Sequence, residues 1–502
     1  MTLELSGKVR RAIRRLAWGE SQTTMSQSSS RAEVDVERGE PDEHTGLLSG
    51  ENGTNHGSTL VKDSKVRSTL HTIEIILRSN PLNWLLGFVV LGIVAGALEW
   101  SPTAIFVLNF LAIVPLAALM GFATEELADE AGDTVGGLMN ATFGNAVEMI
   151  VSIVALIKGE IRIVQASMLG SILSNILLVL GMAFLFGGIG HKEQTFNATV
   201  ASTMSSLMAV ATSSLIIPAA LYATLERSDS PPHFEQILRL SRGTSIVLLG
   251  LYILFLWFQL STHKYIFDSV ATSEPALEAA PTPNTATNGS TATNGSTATN
   301  GSTATNGSTA TTGFTANGSG AAAADPTATP KEPKEPEPKL GMIASIALLL
   351  IVTVLVSICA EYLVGSIEGI VESSGISKTF IGLILIPIVG NAAEHATAVV
   401  AAVRNKMDLA IHVAIGSSMQ IALFVTPCTV LIGWAIGQPM SLYFQTFETV
   451  VFFVSTYLTY YVIQDGKSNY LEGAMLLGIY IIIAISFFVY PDSANIPGVP
   501  SL

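Results

Sequence analysis

Two nine-residue stretches of this chain set an ionisable side chain inside an otherwise small and apolar run. They are GNAVEMIVS, from Gly144 to Ser152, and GNAAEHATA, from Gly390 to Ala398. Each places a glutamate three residues after an asparagine, Asn145 with Glu148 and Asn391 with Glu394. Positions three and four apart share a helix face, so Asn145, Glu148 and Ser152 make one polar stripe, and Asn391 with Glu394 repeats its first pair. An acid in a lipid-spanning segment is expensive and turns toward a partner or a wet cavity. Carboxylate and amide oxygens are hard ligands that suit Ca²⁺, whereas transition metals favour imidazole or thiolate. Two opposed carboxylates neutralise one divalent ion. Without the ion, two close carboxylates in a low dielectric cannot both stay charged, so protons replace it. The residues therefore predict one site at which a divalent cation and protons compete.

The elements holding such a site must be membrane helices. The chain has 502 residues, of which 49% are hydrophobic and only 13% charged, and its mean hydropathy is +0.50. Soluble domains carry about 25% charged residues. A bilayer core needs about 20 mostly apolar residues per helix. Eleven segments qualify, near 83–100, 103–123, 133–157, 165–187, 199–224, 243–260, 341–364, 379–403, 409–434, 443–463 and 470–490. The expected fold is an all-α polytopic membrane protein. Cys359 and Cys428 both sit in apolar runs and read as packing residues rather than as a disulfide or a metal cluster.

Around these helices lie polar appendages. Residues 1–80 form a polar tail without a signal peptide, and residues 3–18 fit either a basic amphipathic helix or, preferably, a solvated segment. Glu43–Leu48 resembles an acidic dileucine signal for a sorting adaptor. Residues 81–260 hold six helices and 341–490 hold five, with a short luminal tail at 491–502. Between the two blocks, 261–340 contains a repeated STATNG hexamer and a Lys-Glu-Pro-rich end, which is a linker composition. Sequons at Asn288, Asn294, Asn300, Asn306 and Asn317 would suit a luminal linker. The charge bias opposes that. With a cytosolic N-terminus, about 19 of the 25 Lys and Arg fall on the cytosolic side and about 6 on the other, which is the positive-inside pattern and puts the linker in the cytosol.

The two acidic stretches belong to a longer duplication. At a constant offset of 246 positions, Ala155 aligns with Ala401, Lys158 with Arg404, Gly170 with Gly416 and Ser171 with Ser417. Equivalent helices are then five crossings apart, and an odd number reverses direction. The layout predicted is two inverted five-helix repeats, helices two to six and seven to eleven, plus one extra N-terminal helix. Such repeats place transport sites near the midplane. The Gly-Asn step is expected to unwind locally, aided by Pro387 in the second copy. Ser174, Asn175 and Gln420 add oxygens near Ser171 and Ser417, serines that serve equally well as ligands or as helix-packing residues. Glu125 and Glu361, near the start of each repeat, read either as acids lining the cytosolic and luminal approaches or as plain interfacial carboxylates. His395 reads as either packing or a proton relay.

At these residues the chain resembles the cation/proton exchangers of the Ca²⁺:cation antiporter superfamily, and most closely the fungal vacuolar calcium/proton exchangers. The motifs that carry the resemblance run from ATEELADEAGDTVGG through GNAVEMIVS to SNILLVLG, and from GNAAEHATAVVAAVRNKMD to GSSMQIALFVTP. It implies an eleven-helix antiporter driving Ca²⁺ into the vacuole against luminal H⁺, with Glu148 and Glu394 as the essential carboxylates and Glu125 and Glu361 as accessory acids. The linker departs from the family, which often has clustered acidic residues there. The alternatives are Na⁺/Ca²⁺ or Mn²⁺/H⁺ exchange, and a cation channel is a more distant one. The lack of an HExxH sequence argues against an intramembrane metalloprotease. No enzyme activity, cofactor or nucleic-acid partner is expected; the ligands expected are Ca²⁺, H⁺ and the lipid bilayer.

Overall fold

The computed structural model describes residues 74–77, 79–225, 234–271 and 340–490. The Glu43–Leu48 signal, the sequons and the 491–502 tail lie outside them. The described chain is almost wholly helical. In order it forms α1 (Leu82–Ala97), α2 (Pro102–Ala131), α3 (Val135–Phe143), α4 (Ala146–Ile157), α5 (Ile161–Gly190), α6 (Ala198–Tyr222) and α7 (Phe234–Thr262). The second block supplies α8 (Met342–Ser374), α9 (Lys378–Gly390), α10 (Ala392–Val403), α11 (Met407–Ile436), α12 (Thr446–Ile463) and α13 (Tyr470–Phe488). Eight of these are long and apolar enough to cross a membrane singly, and the bent pairs α3/α4 and α9/α10 raise the number to ten; α1 is shorter.

Local chemistry sets the boundaries. Ser101 caps α2 by accepting from the Ala104 amide, with Pro102 in the first turn. Gly437, at φ +79°, ends α11 in the left-handed conformation that favours glycine. Asn469 and Glu472 form a reciprocal capping box on α13. Several helices outrun the apolar windows. α7 begins at Phe234 rather than near 243, and α8 runs on to Ser374, because amphipathic turns continue a helix beyond its greasy part. The short strands β1 (Gln194–Thr195) and β2 (Lys467–Ser468) pair antiparallel. Beside them the carboxylate of Glu193 contacts Lys467 at 2.8 Å and holds its ammonium above the ordinary lysine range.

Burial identifies the centre. α5 is the most enclosed of the spanning helices, with 72% of its apolar window buried, against 22% for α7 and 28% for α13. Exposed side chains such as Trp84, Leu254 and Ile482 cover the periphery, as expected where the solvent is lipid. Close backbone approach explains the tight centre. A Cβ on Gly170 of α5 would stand 2.1 Å from the Leu383 carbonyl oxygen of α9, so only glycine permits that crossing. α1 packs on α2 through Asn109, whose side-chain amide donates to the Gly92 carbonyl at 3.1 Å.

The two breaks fall where the Gly-Asn steps predicted them, with bends of 43° between α3 and α4 and 55° between α9 and α10. The asparagine rather than the glycine takes the non-helical angles. Asn145 lies at φ −109°, ψ 30° and Asn391 at φ −86°, ψ 14°, in the sparsely populated bridge region common at functional sites. Gly144 keeps helical angles, φ −56° and ψ −35°. The glycine of the second copy serves close approach instead: a Cβ on Gly390 would stand 3.0 Å from Glu148 Oε1. Widened π-helical turns follow in α5 at Ser174–Val179 and in α11 at Ile421–Val425, another recurrent mark of functional segments.

Candidate functional site

The breaks leave Asn145 and Asn391 at helix starts, one turn before Glu148 and Glu394. Gln420 and Asn175, at the edges of the two π-helical turns, join their hydrogen-bond network. Hydrogen bonds then tie the two halves crosswise. Ser171 Oγ of α5 donates to Asn391 Oδ1 at 2.7 Å, and Ser417 Oγ of α11 donates to Asn145 Oδ1 at 2.8 Å. These are equivalent bonds in the two copies. Asn391 Nδ2 returns to the Ser171 carbonyl at 3.1 Å, whereas Asn145 Nδ2 donates to Gln420 Oε1 at 2.6 Å. Asn175 Nδ2 donates to Ser417 Oγ at 2.9 Å. Asn145 Oδ1 and Asn391 Oδ1 thus each accept one bond and keep one lone pair, whereas Asn175 Oδ1 has no partner.

The carboxylates are left over. Glu148 is buried, and its Oε1 has no hydrogen-bond partner; the same holds for Glu394 Oε2. An unsatisfied buried carboxylate oxygen is costly, and a hard cation or a proton would relieve it. Both glutamates line one cavity of about 170 Å³, together with Asn145, Ser417, Gln420 and Glu125. Glu125 lies near the C-terminal end of α2 and is exposed, so the cavity has a mouth on that side.

On the opposite side of Glu148 the space narrows to about 20 Å³ between Phe110, Ile113, Val151, Leu363 and Ile386, with Ser152, Ser167 and Ser171 as its hydroxyls. That is room for about one water. Beyond it, Glu361 lines a separate opening of about 280 Å³ at the other end of the bundle, with Lys158 4.0 Å away.

The fold therefore gathers Glu148, Glu394, Asn145, Ser417, Gln420 and Glu125 around one volume. Ser171 and Asn391 stand just behind it as cross-ties. Ser174 and Asn175 are fully buried next to the ties. Glu361 is remote from this volume. His395 is absent from the cavity wall; its Nδ1 contacts the Asn391 carbonyl. Three polar wall residues escaped the sequence reading: Asn140, Thr397 and His412. A polar side chain within the apolar run AIHVAIG was the available signal for His412. A buried ion pair also escaped it. Arg162 at the start of α5 holds Glu448 of α12 through two donors, one at 3.1 Å, and reaches Thr379 of α9 at 3.3 Å.

Comparison with known proteins bears on this arrangement. The family described as sodium/calcium exchanger protein matches residues 101–261 and 344–489. A vacuolar calcium ion transporter of Schizosaccharomyces pombe is 42% identical over 441 residues, covering 88% of this chain and 92% of its own length. A Ca²⁺/H⁺ antiporter of Synechocystis is 40% identical over 409 residues, covering 81% and 96%. Among solved structures, native YfkE superposes with a TM-score of 0.60 at 31% identity, over 82% of this chain and 100% of that one.

Proposed function

This chain belongs to the sodium/calcium exchanger protein family, and on that premise we propose that it exchanges cytosolic Ca²⁺ for luminal H⁺ across the vacuolar membrane. The observation that carries the reading is the pair of unpartnered glutamates, Glu148 and Glu394, facing one cavity from two copies of one broken helix. Vacuolar and Ca²⁺/H⁺ names among the similar proteins favour this cargo and this membrane. The donors proposed for the transported ion are oxygens.

The proposed mechanism is alternating access. The bent pairs and α1 bring the number of membrane helices to eleven, with α2–α7 and α8–α13 as the inverted repeats and the tail and linker in the cytosol. In that topology the wide cavity opens to the cytosol and the narrow side faces the lumen. Ca²⁺ enters past Glu125, sheds water, and is held by Glu148 and Glu394 with the remaining lone pair of Asn145, while Asn391 braces the site from behind through Ser171. The neutralised site reorients. On the luminal side protons occupy both carboxylates and release the ion past Glu361. An empty, doubly charged site is too costly to reorient through a low dielectric, and this restriction couples the two fluxes.

The test is ⁴⁵Ca²⁺ uptake into sealed vesicles carrying an acid interior, with a protonophore and with a sodium gradient as the contrasting arms. Uptake should follow the pH gradient and collapse with the protonophore. Uptake driven by sodium and indifferent to the protonophore would overturn proton coupling.

A further inference from the structure

The cavity lined by the two glutamates is also lined by one imidazole. His412, on α11, faces the cavity together with Glu394, Thr397 and Gln420. Apart from the Met120 thioether, the other side-chain donors on that wall are carboxylate, amide or hydroxyl oxygens. The imidazole has no counterpart in the other copy. The equivalent position, 246 residues earlier, is Ala166, fully buried where α9 crosses α5: a Cβ on Gly382 would come within 2.8 Å of its methyl group. A ring does not fit there, whereas at 412 the cavity leaves room for one.

Calcium gains little from imidazole, but Ni²⁺ and Zn²⁺ prefer it. We propose that His412 makes the cytosolic mouth a binding subsite for imidazole-preferring divalent ions, which compete there with Ca²⁺. Among the described residues no three His, Cys, Asp or Glu side chains are gathered into a ready metal cage. The subsite is therefore an open one, in which the imidazole and the free Glu394 oxygen supply two positions, amide or hydroxyl oxygens and water the rest. The inference rests on the exchanger reading for its transport consequence, but not for the binding itself.

The experiment compares two inhibitors of proton-driven ⁴⁵Ca²⁺ uptake: Ni²⁺, which uses imidazole, and La³⁺, which uses oxygen alone. In His412→Ala and His412→Gln the ratio of the Ni²⁺ to the La³⁺ inhibition constant should rise about tenfold through loss of a nitrogen ligand. An unchanged ratio in both variants overturns the proposal, as does equal weakening by both ions, which marks general distortion of the mouth. A second measurement needs only wild type: tag-free purified protein should bind ⁶³Ni²⁺ and release it to excess Ca²⁺. Bound Ni²⁺ that Ca²⁺ fails to displace also overturns it. If wild-type vesicles show no proton-driven uptake, the exchanger reading fails, while the Ni²⁺/Ca²⁺ binding competition still decides the role of His412.

Discussion

The half-helices α3 and α9 occupy equivalent places in the duplication, yet their surroundings differ. α9 is clamped to α5. Lys378 Nζ lies 3.4 Å from Glu160 Oε1, Arg162 bridges Thr379 to the buried Glu448, and Gly170 admits the Leu383 carbonyl at backbone contact. In the other copy the residues equivalent to Glu160 and Arg162 are Lys406 and Asp408. Asp408 is engaged elsewhere, accepting from the Asn197 amide at 2.6 Å. Gly137, equivalent to Leu383, faces the Leu260 side chain of α7. The wide cavity lies beside α3, and the pinched one lies beside α9. The lesson is that near-identical motifs build matching halves of one site, while the charges outside them differ between the copies. The narrow cavity lies on the side where those charges clamp α9 to α5.

The comparison is broken most severely at the site itself. Glu148→Gln and Glu394→Gln should each abolish vesicle Ca²⁺ uptake, with protein levels on immunoblots unchanged. Transport near wild type in either variant would show that the two copies do not share the work.

The clamp comes next. Removing one partner of a buried ion pair costs about 3–5 kcal/mol, whereas replacing both with apolar residues is often neutral. Arg162→Met and Glu448→Leu should therefore each lower thermal stability in detergent, and the double variant should recover most of it. All three should expose a cysteine placed at Ile386 to thiol reagents added on the Glu361 side of the membrane. Labelling no faster than in the parent would separate the clamp from closure.

A smaller effect distinguishes the paired glycines Gly170 and Gly416. A Cβ at Gly170 meets backbone at 2.1 Å, but at Gly416 it meets only side chains, the flexible Met204 Cε at 3.2 Å and the His412 ring at 3.9 Å. Gly170→Ala should cost about 1–3 kcal/mol through overpacking, and Gly416→Ala within about 0.5 kcal/mol. Equal losses on thermal unfolding would remove the asymmetry between the two crossings. Least of all, deleting residues 275–335 should leave the uptake rate within about twofold, since that composition cannot bury a core; complete loss would move part of the mechanism into the linker.

Much of this was readable beforehand. Each spanning segment followed from apolar runs of bilayer length, and both breaks from a Gly-Asn step within them. The pairing of Glu148 with Glu394 followed from the repeat. Other features were not readable. Arg162 and Glu448 are 286 residues apart, and nothing local to either names the other. By sequence Glu448 is one acid within the apolar segment 443–463. Likewise, Asn145 and Asn391 read as ligands, and only their ties to Ser417 and Ser171 reveal that half of each oxygen's capacity is already spent.

Composition and short-range pattern determined the membrane class and the helix positions, and a self-match at an offset of 246 positions added the duplication and its acids. The class and the helix positions depend on hydrophobic length and on backbone preferences within a turn or two, which neighbouring residues supply. Tertiary packing alone decided which side of the glutamates is open, which serine meets which asparagine, and that His412 reaches the cavity while His395 does not. Those outcomes depend on how closely whole helices can approach, and that is set by contacts between residues hundreds of positions apart.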